Sequence, residues 1–226
     1  MAVIFVILWY NRMTCKKRAD HGELPGIALE DLERRCSASM FSERILRAFS
    51  CASFTISTTS LLLAARGDAL AGLWLEGQKY FLGSLKEPAE PMEGHPVLLQ
   101  AGDWLSRYFA GERPDSGELK LDPGGGEFRR TVWEELCRIP YGSVTTYGAL
   151  ARTVAARLGR ASMSAQAVGG AVGHNPISIL IPCHRVVGAD GSLTGYAGGI
   201  DKKLWLLDHE GVETDRFFVP DNSTAP

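Results

Sequence analysis

The amino-acid sequence predicts an α+β protein made of two small units. Short apolar runs separated by turn residues, between residues 54 and 81, are typical of strands. Apolar residues then recur with helical spacing from Pro96 to Phe109, and again in several segments after residue 127. The chain of 226 residues is long enough for two units, each with its own core.

These patterns divide the chain into five parts. Residues 1–52 form an N-terminal extension of unknown role, and residues 53–112 form a small α/β domain. Residues 113–126 contain two prolines and three consecutive glycines, which is typical of a linker rather than a packed element. Residues 127–213 form a mainly helical domain, and residues 214–226 are expected to be a loose tail.

The first domain is expected to contain two strands and one helix. The strands cover residues 61–65 and 69–75, with turn residues between them and a second turn at Glu76–Gly77. The helix covers residues 96–109, with proline at its first position.

The second domain is expected to begin with three helices. The first runs from about Phe128 to Arg138 and is stopped by Pro140; the second is capped by Thr145 or Thr146 and ends at Gly159. The third, residues 164–173, consists almost entirely of small residues. The second and third helices form a helix-turn-helix candidate, in which the small residues allow either close approach to a DNA groove or tight helix packing.

A reactive segment and a last helix complete the second domain. The apolar run 177–181 predicts a buried strand, which leads into Pro182-Cys183-His184-Arg185. Asp190–Gly191 is a hairpin-type turn. Asp201 is expected to cap a final helix that buries Leu204, Trp205 and Leu207 and ends at Glu210, with Gly211 as its C-terminal cap.

Charge gives only a local indication of a nucleic-acid partner. The formal net charge is −2, whereas residues 128–207 carry nine basic and four acidic side chains, a local excess of +5 (9 − 4). Such an excess is typical of a phosphate-binding face, although uneven surface charge without a partner is the commoner cause. The five cysteines include no C-x-x-C pair, which argues against a disulfide framework or a zinc ribbon and favours a reducing cytosol.

The first ten residues, Met1 to Tyr10, are uniformly apolar but too short to span a bilayer. The basic residues follow this run instead of preceding it, unlike those of a secretory signal. A membrane-facing segment, a buried strand, a disordered tail and a start codon assigned upstream of Met40 are the alternatives.

The dipeptide Cys183-His184 carries the candidate chemistry. A free thiol has a pKa of about 8.5 and needs a base or positive charge to become a nucleophile at neutral pH. His184 can supply the base, and a carboxylate would orient its imidazole. The dipeptide alone is a weak signal, because a buried structural cysteine beside an exposed histidine is more common.

Several motifs, in order and spacing, resemble those of the O6-alkylguanine-DNA alkyltransferases of bacterial type. The resemblance covers about residues 54–213. The matching segments are Gly72-Leu73-Trp74-Leu75-Glu76-Gly77-Gln78, Tyr141-Gly142-x-Val144-x-x-Tyr147-x-x-Leu150-Ala151, Ala167-Val168-Gly169-Gly170-Ala171, Asn175-Pro176, Ile181-Pro182-Cys183-His184-Arg185-Val186-Val187, Gly195-Tyr196-Ala197-Gly198-Gly199 and Leu206-Leu207-x-His209-Glu210-Gly211.

The resemblance implies a ribonuclease H-like N-terminal domain and a winged helix-turn-helix-like C-terminal domain. It also implies direct reversal DNA repair, in which the alkyl group of O6-alkylguanine, and of O4-alkylthymine, moves irreversibly to the acceptor Cys183 after the base is flipped out of the duplex. Glu210, His184 and a bridging water would polarise the thiol, and Asn175 would hold the active-site turn. Tyr147 would donate to guanine N3.

The resemblance further assigns binding residues. Val186, Tyr196, Ala197 and Lys203 would bind the base, with Lys203 near Tyr147. The DNA-binding residues would be Gln166, Ala165, Ala167, Gly169, Gly170, Arg160 and Arg185. Two positions depart from the common pattern: Gln166 replaces an arginine that fills the gap left by the flipped base, and Ala197 replaces a serine.

The expected partner is double-stranded DNA that contains alkylated guanine, bound by a cytoplasmic monomer with no obligate protein partner. No cofactor is expected. No metal is expected either, because the spacing of the candidate ligands does not match that of a zinc site. Those candidates are Cys15, His21, Cys36, Cys51 and His95. Two rival hypotheses are a non-catalytic lesion sensor or DNA-binding regulator of the same architecture and a Cys-His hydrolase, which would turn over repeatedly.

Overall fold

The computed structural model describes residues 4–8, 61–85, 89–92 and 94–220, and strands 4–8 and 89–91 are described by their backbone alone. Its N-terminal part is a four-stranded sheet. Strand β2 (Leu61–Arg66) pairs antiparallel with β3 (Ala69–Leu75), as the sequence predicts, and Gly67 at φ 58° makes the turn between them.

The rest of this sheet comes from distant parts of the chain. Strand β1 (Ile4–Leu8) pairs antiparallel with β2, and β4 (Ala89–Pro91) pairs parallel with β1, which gives the order β3-β2-β1-β4. Part of the apolar N-terminal run is therefore a strand. In the described residues, no helix has the length and apolar character needed to cross a membrane.

Helix α1 (Pro96–Phe109) has the predicted bounds and packs on the hairpin of β2 and β3. Its apolar stripe, which includes Leu98, Leu105 and Tyr108, is buried. The stripe arises because these positions recur with the period of the helix.

Residues 113–126 are not a loose linker. Asp115 caps a short 3-10 turn (Ser116–Glu118), and Leu119 is buried. Leu70 in β3 donates its N–H to the Lys120 carbonyl oxygen (2.8 Å), and Asp122 donates its N–H to the Leu70 oxygen (2.8 Å). The glycines and prolines do not prevent packing, because the leucines between them extend the edge of the sheet.

Three helices of the second domain match their predictions within one or two residues: α2 (Glu127–Cys137), α3 (Tyr147–Arg157) and α4 (Ala165–Gly173). The Thr146 hydroxyl accepts from the N–H of Ala149 (3.1 Å) and so caps α3. The Trp133 indole donates to the Ala171 carbonyl oxygen (2.9 Å), which ties α2 to the small-residue helix α4.

Residues 177–181 do not form the predicted strand. Ile177 makes a single bridge to β3, in which Ser178 donates its N–H to the Leu73 oxygen (2.8 Å). The chain then turns through Ile179, whose φ is 71°. The run is buried as predicted, but the turn that delivers the cysteine replaces an extended segment.

The last helix, α5 (Ile200–His209), begins after Gly199, and Asp201 lies in its first turn rather than at the cap. Trp205 is 36% exposed, contrary to prediction, whereas Lys203 and Leu206 are fully buried. The Lys203 ammonium group donates to the carbonyl oxygens of Val186 (2.6 Å) and Thr194 (3.2 Å), which satisfies this buried cation. Gly211 follows the helix at φ 77°, as predicted.

The predicted loose tail is packed at least as far as Phe218. Leu193 donates its N–H to the Phe218 oxygen (2.8 Å), and Phe218 donates to the Gly191 oxygen (3.3 Å). The strands β5 (Thr145–Thr146) and β6 (Val186–Val187) form a separate parallel pair beside the reactive segment.

Candidate active site around a buried cysteine

Cys183 opens a 3-10 turn (Cys183–Arg185) at the end of the buried apolar run, and it is 5% exposed. Its N–H donates to the Ile181 oxygen (2.8 Å), and the proline before it further restricts the backbone. The Asn175 side-chain amide donates to its Sγ (3.1 Å). The sulfur is therefore held in one place.

Asn175 fixes the whole reactive turn. Its Nδ2 also donates to the carbonyl oxygens of Ile181 (2.8 Å) and Ile177 (3.3 Å), and its Oδ1 accepts from the Ile177 N–H (3.0 Å). One buried side chain thus satisfies backbone groups that a strand would otherwise have paired.

His184 and Glu210 form a buried pair, with His184 Nε2 and Glu210 Oε1 2.8 Å apart. Burial raises the pKa of Glu210, but hydrogen bonds and charge from His184 and Arg185 hold it well below its usual range. Burial lowers the pKa of His184 and outweighs the attraction of Glu210. A neutral imidazole that donates through Nε2 to a carboxylate has its lone pair on Nδ1.

His184 Nδ1 is the free end of this pair. It is buried and has no hydrogen-bond partner among the described residues. Burial raises the pKa of the Cys183 thiol, although Asn175, Lys203 and nearby backbone N–H groups act in the opposite direction. Burial thus favours the neutral form of the thiol, and His184 Nδ1 is a buried acceptor without a hydrogen-bond partner among the described residues.

Glu210 is held by three further groups, none of which the sequence analysis assigned to it. Arg185 donates to both carboxylate oxygens (2.8 and 2.9 Å). The Tyr108 hydroxyl, from α1 of the first domain, donates to Oε1 (2.8 Å), and the Gly142 N–H donates to Oε2 (3.2 Å). Tyr108 has the pattern of a core residue in the sequence, and only the fold brings its hydroxyl to the site.

A cavity of about 530 Å³ lies on the Tyr147 and Tyr196 side of the thiol. The Tyr147 hydroxyl and the Lys203 ammonium group both donate to the Thr194 oxygen (2.8 and 3.2 Å), so Lys203 lies near Tyr147 as expected. Burial raises the pKa of Tyr147 to about 12. The cavity is lined by Lys79, Tyr80, Tyr147, Ala165, Gln166, Gly169, Gly170, Gly173, His174, Thr194, Gly195, Tyr196 and Ala197.

The comparisons with known proteins agree on one family. Residues 127–212 match the family described as 6-O-methylguanine DNA methyltransferase, DNA binding domain. The methylated-DNA–protein-cysteine methyltransferase of Mycolicibacterium paratuberculosis is 43% identical over 149 residues, which cover 65% of this chain and 83% of that protein. This chain belongs to the methylated-DNA–protein-cysteine methyltransferase family.

Other family members differ in how much of their length is matched. The protein of this name from Methanosarcina barkeri is 42% identical over 66% of this chain and 89% of its own. The Salmonella typhimurium member is 53% identical over 109 residues, and the match spans only 61% of its length. Mycobacterium tuberculosis OGT in complex with DNA superposes with a TM-score of 0.57 at 40% identity, covering 70% of this chain and 88% of that one.

The methyltransferase motif residues on α4 are mostly exposed. Ala165, Gln166, Ala167 and Gly170 are exposed, and Gly169 is half-buried. Arg160, just before α4, is also exposed. Their exposure is compatible with the DNA-binding prediction, which stays a prediction.

Two predicted binding residues lie elsewhere. The Arg185 guanidinium points inward to Glu210 and to the Ile139 oxygen (2.6 Å), so it does not belong to a DNA-binding surface. Val186 is fully buried and does not line the cavity; its carbonyl oxygen accepts from Lys203 Nζ (2.6 Å). In both cases the interior offers a partner or a packing site that a motif does not reveal.

The described residues contain no cluster of three His, Cys, Asp or Glu side chains able to hold a metal ion. Of the candidate ligands, Cys15, His21, Cys36 and Cys51 lie outside the described residues. The active-site groups found here are a thiol, an imidazole and a carboxylate.

Proposed function

We propose that this protein repairs DNA by transferring the alkyl group of O6-alkylguanine to Sγ of Cys183. The main support for this proposal is the buried Cys183 thiol, whose sulfur accepts a hydrogen bond from Asn175. The His184 imidazole is hydrogen-bonded to Glu210 through Nε2, and its Nδ1 has no hydrogen-bond partner among the described residues. A cavity bounded by α4 is lined by Tyr147 and Tyr196, the two tyrosines that interact electrostatically with Cys183. Family membership supports the same chemistry.

The transfer step requires the thiol to lose a proton and guanine to leave as a stabilised base. His184 Nδ1 accepts the Cys183 proton, through a bridging water, and the thiolate attacks the alkyl carbon in line. The Sγ–carbon bond forms while the carbon–O6 bond breaks, and the electron pair of that bond stays on guanine. The thioether product is stable, so each molecule acts once.

Tyr147 is the proposed donor to guanine N3, where negative charge builds as the base leaves. Its raised pKa, about 12, keeps the hydroxyl protonated at neutral pH. The hydroxyl can leave the Thr194 oxygen without stranding it, because Lys203 also donates to that oxygen. Tyr196 and Ala197 complete the base-binding wall.

Alkyl transfer from duplex DNA requires that the base be flipped out, because the O6 atom of a stacked base is out of reach of a buried thiol. We assign α3 and α4 to a winged helix-turn-helix and the N-terminal sheet to a ribonuclease H-like domain. Ala165, Ala167, Gly169 and Gly170 allow α4 to approach the groove closely. O4-alkylthymine presents a similar alkyl–oxygen bond and is a second proposed substrate. We also propose that the protein acts as a monomer in the cytoplasm.

Incubation with duplex DNA that contains O6-methylguanine is expected to add the mass of one methyl group to the peptide containing Cys183. Intact-mass spectrometry followed by peptide mapping measures this, with unmodified DNA of the same sequence as the control. An unmodified protein that still binds the damaged duplex would identify a lesion sensor instead. Repeated release of product would identify a hydrolase.

Replacing Gln166 with arginine is expected to speed transfer about threefold to tenfold, because a guanidinium group adds charge and a planar fork beside the orphaned cytosine. Single-turnover kinetics on methylated duplex DNA measures the rate. Gln100→Arg makes the same change of charge on an exposed face of α1 and should leave the rate unchanged. Equal effects of the two substitutions would show that only the net charge matters.

A further inference from the structure

Tyr80 is an aromatic residue in a strained backbone conformation at the substrate cavity. Its φ is 63°, a left-handed conformation that is unfavourable for a residue with a side chain. The side chain is 45% exposed, so burial does not explain this conformation. Strained residues concentrate where a side chain has to be held in a particular place, which makes Tyr80 a candidate for a functional role.

The segment before Tyr80 is fixed against the loop that forms the cavity wall. Lys79 donates its N–H to the Ala197 oxygen (2.8 Å). The Gln78 side-chain oxygen accepts from the Leu75 N–H (2.9 Å) and from the Ser178 hydroxyl (3.1 Å), and Gln78 is buried. The first domain thus reaches the cavity at a defined position.

The Tyr80 ring stacks on the imidazole of His174, with ring centroids 4.0 Å apart and planes at 20°. Both residues line the cavity of about 530 Å³ that Tyr147 and Tyr196 also line, and both line a second cavity of about 600 Å³. Trp74 and Trp133 contribute to the second cavity. The stacked pair is therefore the partition between the two spaces.

We propose that Tyr80 is a specificity-determining residue that limits the size of the O6-alkyl group. The proposal rests on the proposed function and concerns the same site. A methyl group needs little space beyond the base itself, whereas a benzyl group needs room for a second ring. Removal of the Tyr80 ring would join the two cavities and offer a bulky aromatic group the space between Trp74 and Trp133.

The test compares transfer rates from O6-methylguanine and O6-benzylguanine in the same duplex. Tyr80→Gly removes the ring, and glycine adopts a positive φ without strain. The benzyl-to-methyl rate ratio is expected to rise about tenfold in this variant, a change typical of altered pocket size, and the ratio cancels any effect that the substitution has on both transfer rates alike. Tyr80→Ala provides a second ringless variant with the same expected result.

Two controls separate the ring from the loop that carries it. Tyr80→Phe retains the ring and should retain the wild-type ratio. Leu82→Gly makes a matched change at φ 58° in the same loop; Leu82 lines neither cavity and packs on the cluster of Leu62, Ala64 and Trp74, so this variant should raise the ratio much less than Tyr80→Gly does. The same rise in Leu82→Gly as in Tyr80→Gly would overturn the proposal, because loop flexibility alone would then explain it.

The outcome for the wild-type protein distinguishes the two proposals. If it transfers neither group, the proposed function fails and the assignment of Tyr80 fails with it. If it transfers methyl normally and both ringless variants keep the wild-type ratio, only the role of Tyr80 is refuted.

Discussion

Replacing Glu210 with alanine is expected to lower the free energy of unfolding by about 3–5 kcal/mol, because it leaves a buried cation without its partner. Arg185 makes two hydrogen bonds to this carboxylate, and the side chain of Glu210 is fully buried. Tyr108 and the Gly142 N–H would also lose their acceptor. Denaturant unfolding of the two proteins measures the difference.

Glu213→Ala is the matched control, since Glu213 is an exposed carboxylate three residues further along the chain. Its effect on the free energy of unfolding should stay within about 0.5 kcal/mol. A loss for Glu210→Ala no larger than this control would mean that the ion pair contributes little. Transfer activity should fall with Glu210→Ala, because His184 loses the group that orients its ring.

The contribution of Glu210 should also depend on pH in a defined direction. Its pKa in the folded protein lies below the ordinary value of 4.5, so the carboxylate stabilises the fold fully above that pH. The stabilisation is lost as pH falls further toward the folded pKa. The difference in unfolding free energy between the wild type and Glu210→Gln should therefore narrow in acid; a difference that is constant with pH would contradict this.

Cys183→Ala is expected to abolish alkyl transfer completely. Its affinity for the methylated duplex should stay within about twofold of the wild-type affinity, which corresponds to only a small change in binding free energy. The sulfur is the proposed acceptor and is 5% exposed, so it contributes little contact area to DNA. Asn175 keeps its bonds to the Ile181 and Ile177 oxygens, so the turn should persist. Mass spectrometry measures transfer, and fluorescence anisotropy measures binding.

Cys137→Ala is the control for this experiment, since Cys137 is the other cysteine in the described part of the chain. It is half-buried, and burial raises the pKa of its thiol to about 11, so it should not react at neutral pH. This variant should transfer at the wild-type rate. Methylation of Cys137 in the Cys183→Ala protein would refute the assignment of a single acceptor.

In the described residues, local sequence patterns predicted all five α-helices but only two of the six strands. The bounds of β2, β3 and α1 followed from apolar periodicity and turn residues, and Thr146 and Gly159 marked the ends of α3. These elements depend on interactions within a few residues, which a single sequence contains. The motifs around Cys183 likewise indicated the family.

The errors fell where a specific hydrogen-bond partner, either a nearby side chain or a distant part of the backbone, decides the conformation. Residues 177–181 are buried as predicted but form a turn, because Asn175 supplies the hydrogen bonds that a strand would have made. The predicted linker packs because its edge pairs with Leu70, and the tail packs because Phe218 pairs with Leu193. Periodicity contains no information on such pairings.

The sequence by itself indicated a candidate cysteine after an apolar run with a histidine beside it, and the family resemblance added a glutamate at the end of the last helix. Only the tertiary structure decided how they are connected. It turned Arg185 inward onto Glu210, brought Tyr108 from the first domain to the same carboxylate, and left Nδ1 of His184 free. The physical reason is that a buried charge needs donors from every side, and the chain separations involved, up to 102 residues, close only on folding.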